Sequence, residues 1–208
     1  MRSGETKLQT PTGRNLRPGT KLNPEEKYNI AYQNPNYQKP SVGASVISYL
    51  LGKIKFNSVL DVGCGMGHTL LGFLKARKDA RGIEVCDYLL KNFLKIFVDT
   101  DLVRKARIQN IPFEAETFDL IFCTDVLEHI VEEDIDISIK ELIRVSKKYI
   151  FVTVATVPAR MCPELELHET VKPVSWWDEK WKKYRLRRVA TDLVRSSNEG
   201  EVYLWRKC

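Results

Sequence analysis

Ser58-Val-Leu-Asp-Val-Gly-Cys-Gly-Met-Gly67 is the stretch whose reading decides the fold. Ser58–Val62 is a short apolar run halted by glycines, the pattern of a buried strand ending in a tight turn. Helical spacing over Thr69–Arg77 follows at once, so the glycines join a strand to a helix. Glycines at 63 and 65 let the backbone approach a ligand with no Cβ in the way. Amides at the start of the next helix suit a carboxylate or a phosphate. Asp61, directly before the turn, sharpens this choice. A carboxylate there repels a diphosphate and attracts an ammonium group.

Working outward, Ala80–Val85 reads as a second strand, and Glu84 near its end follows Asp61 by 23 residues. An acid at that place can accept hydrogen bonds from both hydroxyls of a ribose. The ligand so outlined has a ribose and a cationic end but no phosphate. Asp87–Val98 is expected to be helical, with Leu89, Leu90, Phe93, Leu94 and Phe97 on one face. Leu102–Ile108 reads as a weak third strand and Phe118–Thr124 as a strong fourth. Glu133–Ser146 is a helix, and Tyr149–Val157 a fifth strand. Trp176–Tyr184 is expected to be helical, and Leu186–Arg195 with Glu201–Arg206 form a hairpin across Asn198-Glu-Gly200. Apolar strands alternating with helices predict a mostly parallel sheet covered on both faces.

Before this core, residues 1–24 lack periodicity and are expected to form an extended or mobile arm; 25–208 then make one domain. Asn23-Pro24-Glu25-Glu26 has the form of a helix start. Tyr28–Tyr37, with three tyrosines, reads either as a lid over a site or as a packed connection. Ser41–Lys53 is an amphipathic helix.

Composition narrows the class further. At 208 residues, 43% hydrophobic and 29% charged, the chain has the balance of a soluble globular domain. No run reaches the roughly 18 apolar residues that a spanning helix needs. The N-terminus lacks an apolar signal core, so a cytoplasmic location is expected. Five scattered cysteines without a C-x-x-C pair speak against a zinc site or a disulfide scaffold, and no metal is expected. Cys64, Cys86 and Cys123 fall at strand ends as small apolar fillers. The net charge of +6 gathers in the flanks, most densely at Lys180–Arg188, where six cations and two aromatics share nine residues. That segment is either a phosphate-contacting strip or a solvated helix face running into an edge strand guarded by charge.

S-adenosylmethionine has the ribose and cationic end that these residues outline, and VLDVGCGMG resembles the first motif of the class I S-adenosylmethionine-dependent methyltransferases. GIEV (Gly82–Val85) resembles their ribose-binding motif. The run from Ile111 to His129, ending FDLIFCTDVLEH, resembles the stretch through their fourth strand. The resemblance implies a Rossmann-like, doubly wound α/β sheet of seven strands, mostly parallel, with one antiparallel strand near an edge. It implies S-adenosylmethionine as cofactor. Asp61, Gly63, Cys64 and Gly65 would line its methionine end, Glu84 its ribose, and Val85 its adenine. Relatives often place an acid at about Arg107; here Arg107 would stack on the adenine and the Ile108 backbone would meet its edge. Asp125 would lie near the reactive methyl, holding the cofactor's amino group or accepting a substrate proton.

Methyl transfer needs a nucleophile held in line, and a proton acceptor only for a hydroxyl or a protonated amine. Asp125, His129 and His168 are the candidates for catalytic roles; if 125–129 is helical, Asp125 and His129 share a face. His68 opens the helix after the glycine turn and reads as structural or cofactor-adjacent. His168 heads a loop that runs to Trp176-Trp177, a pattern loosely similar to methyltransferases of sugar and glycan pathways. One tryptophan is expected to anchor the core and the other to stack on substrate. The expected reaction is methylation of oxygen or nitrogen on a small-molecule or sugar-bearing acceptor. Two alternatives stand beside it: an RNA methyltransferase using 180–188, and a cofactor-binding partner protein without turnover.

Overall fold

The computed structural model describes residues 22–35, 37–38, 43–162, 165–193 and 200–208. The arm expected over 1–24 lies outside the described residues as far as Lys21, as does most of the Asn198–Gly200 turn. Seven strands make one sheet in the order β3-β2-β1-β4-β5-β7-β6. They are β1 Ser58–Val62, β2 Asp79–Glu84, β3 Val103–Lys105, β4 Phe118–Thr124, β5 Ser146–Ala155, β6 Leu186–Arg188 and β7 Gly200–Lys207. Strands β1 to β5 run parallel. β7 pairs antiparallel with both β5 and β6 and so lies one place in from the edge. This is the doubly wound arrangement that the alternation predicts.

β1, β4 and β5 carry apolar side chains on both faces because helices cover both. On one side α2 (Gly43–Lys53) and α3 (His68–Lys75) bring Leu50, Leu70 and Phe73 against Val59, Phe122 and Phe151. On the other, α6 (Ile135–Val145) sets Ile135, Ile139 and Leu142 at helical spacing over Leu60 and Ile121. The same layer takes Trp177 and Trp181 from α7 (Val174–Lys182) against Tyr203 and Trp205 of β7. Trp177 is fully buried and serves as a core anchor.

Three elements depart from the sequence pattern, each for a local reason. The helix expected over 87–98 breaks into α4 (Asp87–Asn92) and α5 (Lys95–Asp99). At the break both Phe93 and Leu94 donate to the Leu89 carbonyl. This turns Leu94 into the core beneath the glycine turn and leaves Phe93 and Ile96 exposed. The third strand is only three residues long. Ala106 donates to the Glu84 carbonyl, and the chain then leaves the ladder to cross the end of β2. Residues 125–129 are not an α-helix: Asp125 takes φ +54 and Leu127–His129 form a short 3-10 turn.

Before the sheet, α1 (Pro24–Ala31) begins at a full capping box, with the Asn23 side chain on the Glu26 N–H and Glu26 on the Asn23 N–H. Asn23→Ala removes one half of that reciprocal pair and is expected to cost about 1 kcal/mol of helix stability. Differential scanning calorimetry of the variant measures it.

Candidate active site

The order of the strands reverses between β1 and β4, and ligands in such sheets bind beyond the carboxyl ends at that point. A pocket opens there. Val62 and Gly63 after β1, Glu84 and Val85 after β2, and Asp125 and Val126 after β4 line it. Arg107, Ile108 and Gln109 form one flank, and His129, Ile130 and Asp134 the other. Tyr28, Tyr32 and Tyr37 close it from the N-terminal segment. The segment fits both readings at once: its tyrosines line the pocket and also pack against the core beneath it.

The glycine turn has the conformation its sequence requires. Gly63 and Gly65 have φ of +69 and +53, a region that L side chains rarely adopt. A Cβ on Gly63 would fall 2.6 Å from Val126 Cγ2, and one on Gly65 3.0 Å from the Tyr32 hydroxyl. Cys64 instead turns its thiol inward against Gly82 and is buried. Its place is beneath the turn, outside the residues that line the pocket. Burial pushes the thiols of Cys64 and Cys123 up, and that of Cys86 up to about 12, so all three are inert fillers.

Two buried carboxylates flank the turn. Glu84 accepts from the Gly65, Val85 and Cys86 amides at 2.8, 2.8 and 2.9 Å. Burial raises its pKa, while the three amides oppose the rise. Asp61, 3% exposed, has one oxygen, Oδ2, with no hydrogen-bond partner among the described residues. Burial and the nearby Glu84 charge push its pKa up to about 7, against a bond from the Leu70 amide. An unpartnered buried carboxylate oxygen is costly and awaits a cationic or donor group.

Asp125 is held by Thr153: its N–H donates to the Thr153 carbonyl and hydroxyl oxygens, and that hydroxyl donates to Asp125 Oδ1 at 2.9 Å. His129, 8% exposed, sits edge-on to Tyr28 and to His168, whose ring centroid is 4.7 Å away. The 3-10 turn brings Asp125 and His129 to the pocket together although the helix expected to do so is absent. Burial is the main cause holding His129 down to about pKa 4, so the ring is neutral at physiological pH. His168 packs behind it, outside the residues lining the pocket. His68 opens α3 beyond Gly67.

Arg107 lines the pocket and lies 3.5 Å from Glu25, which also pairs with Lys105. Ile108 is buried beside it. Trp176 stands outside the pocket lining, with the Lys172 and Lys180 ammonium groups 5.5 and 4.7 Å from its ring centroid. In the basic segment, Lys180 and Lys183 both pair with Asp136, Lys182 with Glu179, and Arg188 with Asp178 and Glu201. Glu25, Gln109, Asp134 and Glu128 were not singled out by sequence pattern. For Glu128 a signal was available, in the acid-x-x-Glu-His order of Asp125–His129.

Fold and site together resemble those of the class I S-adenosylmethionine-dependent methyltransferases. Residues 60–151 match the family model described as a methyltransferase domain. A solved S-adenosylmethionine-dependent methyltransferase from Clostridium acetobutylicum superposes with a TM-score of 0.61 at 14% identity, over 78% of this chain and 89% of its own. Magnesium protoporphyrin IX methyltransferase from Synechocystis, with bound S-adenosylmethionine, gives 0.59 at 14% identity, over 91% and 86%. At these identities the likeness is one of fold. An uncharacterized protein of Methanocaldococcus jannaschii is 40% identical over 87 residues, 40% of this chain and 36% of that protein. The chain thus aligns with about a third of that relative's length. No helix among the described residues is long and apolar enough to cross a membrane.

S-adenosylmethionine is the cofactor of this class, and the residues present fit it. Asp61 and Gly65, like Cys64, stand just outside the residues that line the pocket; the unpartnered Asp61 oxygen offers a seat for an ammonium group, and a Cβ on Gly65 would fall 3.0 Å from the hydroxyl of the pocket-lining Tyr32.

Proposed function

We propose that the chain transfers the methyl group of S-adenosylmethionine to an oxygen or nitrogen of a small-molecule or sugar-bearing acceptor. The observation that carries this reading is the pair of buried carboxylates on either side of the glycine turn, one of them with an oxygen awaiting a donor. When bound, the cofactor supplies a methyl carbon activated by the sulfonium; the acceptor's lone pair forms the new C–O or C–N bond as the S–C pair stays on sulfur.

The chain's own residues bind, orient and exclude water. Asp61 takes the ammonium end, and the start of α3, which no side chain caps, offers amides to the carboxylate. Glu84, whose plane three amide bonds fix, keeps about one acceptor site, on Oε2, for a ribose hydroxyl. Val85 and Ile108 pack on the adenine, with Arg107 at its rim. Tyr28, Tyr32 and Tyr37 cover the site and keep water from the reacting atoms. Asp125, its rotamer fixed by Thr153, is the carboxylate placed to hold the acceptor's departing proton or the cofactor's amino group. His129 is a weak base at about pKa 4, and we assign it to the wall of the acceptor side rather than to proton removal.

Calorimetric titration with S-adenosylmethionine, followed by mass spectrometry of incubated acceptors, tests the reading. A methylated nucleotide sugar or small molecule is the expected product. A methylated RNA whose binding weakens steeply with salt would favour the basic segment instead. Tight cofactor binding with no transfer to any acceptor would make the chain a binding partner without turnover. Glu84→Ala should weaken the cofactor by about 1–3 kcal/mol through lost charge-assisted bonds. It should also lower the melting temperature, because three buried amides lose their acceptor. Calorimetry and thermal melting separate the two effects.

A further inference from the structure

Glu128, His129 and His168 bring three ligand atoms within 4.8 Å of one another. The hydrogen bonds around them determine what those atoms present. His129 Nδ1 lies 2.9 Å from the Leu167 carbonyl, and His168 Nδ1 2.6 Å from the Val157 carbonyl. A carbonyl oxygen only accepts, so each Nδ1 carries the proton and donates. In the neutral ring each Nε2 is thereby left with its lone pair. The Glu128 carboxylate is anchored by the Ala155 amide on Oε1 at 2.8 Å, and its backbone carbonyl accepts from the Thr170 amide. Two imidazoles pinned through Nδ1 by backbone carbonyls, with a buried carboxylate between the strands that carry them, form the outer-shell arrangement that orients metal-binding histidines.

We propose that these three side chains bind one divalent first-row transition ion, through Nε2 of both histidines and the Glu128 carboxylate. With bonds of about 2.0–2.2 Å, ligand atoms across an ion stand roughly 3–4 Å apart, so the cluster would contract by about 1–2 Å on binding. Two imidazoles and one carboxylate suit zinc, manganese or ferrous ion better than calcium, which takes oxygen ligands. Three protein ligands leave positions open. His129 also lines the pocket, as does Tyr37. An open position facing the pocket would hold an oxygen of the acceptor. That role rests on the methyl-transfer reading, whereas binding of the ion does not.

The sequence pattern pointed away from a metal because it looked for cysteines. The ligands instead come from the turn after β4 and the loop after β5, which meet only in the fold.

Titration of the full chain, stripped with chelator, with Mn2+ and Zn2+ tests the proposal, read by calorimetry and by the manganese electron-resonance signal. The expected result is one ion per chain, bound more than about tenfold more weakly by His168→Ala and by Glu128→Gln. His168 is only half-buried, so its truncation spares the core. S-adenosylhomocysteine titrated into the same samples reports the fold and the cofactor reading separately. Binding of no ion by the native chain, or equal binding by both variants with cofactor affinity kept, overturns the metal site. Ion binding without cofactor binding would instead leave the metal site standing and remove the methyl-transfer reading.

Discussion

Gly65→Val is expected to abolish detectable cofactor binding while the chain still melts cooperatively. The reasoning starts from the backbone. Gly65 has φ +53, where a β-branched residue is strained by roughly 1–3 kcal/mol. The added Cβ meets only the hydroxyl end of Tyr32, at 3.0 Å, and reaches no part of the buried sheet. A domain of this size tolerates such a cost. The ligand does not, because the valine methyls would crowd the hydroxyl of Tyr32, a residue that lines the pocket. The Gly65 amide would also shift from the Glu84 carboxylate it now meets at 2.8 Å, loosening the ribose seat. Calorimetry with S-adenosylhomocysteine and a thermal melt of the same sample check both halves. Unchanged affinity would place the cofactor elsewhere.

Asp61→Asn should have opposite effects on stability and binding. Burial beside Glu84 raises the Asp61 pKa to about 7, well above its ordinary carboxylate value. A group raised in this way favours the fold while protonated, below its unfolded pKa, and that contribution is lost as pH climbs towards 7 and past it. The ligand-free native protein is therefore burdened at pH 8 by a charge with no partner on Oδ2. The neutral amide removes this burden, so the variant should melt higher than the native chain at pH 8 and show less difference at pH 5. Cofactor binding should fall by about 3 kcal/mol, the scale of a charge-assisted bond to an ammonium lost in a buried site. Native affinity should rise with pH up to about 7 and then level, as Asp61 ionises, whereas the variant should not follow that curve. An affinity of the native chain that is flat from pH 5 to 8 would remove Asp61 from the ammonium seat.

The sheet was legible because its signals are local. The strand at Ser58–Val62 and that at Phe118–Thr124 are coextensive with their apolar runs, and Asn23-Pro24 caps α1 as its residue types require. The departures arise where tertiary contacts override periodicity. Leu94 leaves its helical face to fill the space under Gly67, which no pattern within 87–98 could signal. β3 stops at Lys105 because the next residues are drawn over the end of β2. In the site, Asp61 and Glu84 are legible since one strand end each carries them. The Glu128, His129 and His168 cluster is not, because 39 residues separate its two histidines and only the β4–β5 pairing brings their loops together. Trp176 and Trp177 are adjacent in sequence but differ in burial, Trp177 lying wholly in the core and Trp176 partly buried at its margin beside two lysines.

Helix α1 is fastened at both ends of the crevice. Glu25 holds Lys105 and Arg107 on the adenosine side, and Asn29 Oδ1 accepts from the Tyr88 amide and lies 3.3 Å from the Cys86 thiol. Lys27 reaches the opposite loop, donating to the Glu166 carbonyl and pairing with Glu169. On the methyl-transfer reading, a strap tied to both banks would couple the two: release of this helix to admit fresh cofactor would uncover the acceptor's seat in the same movement.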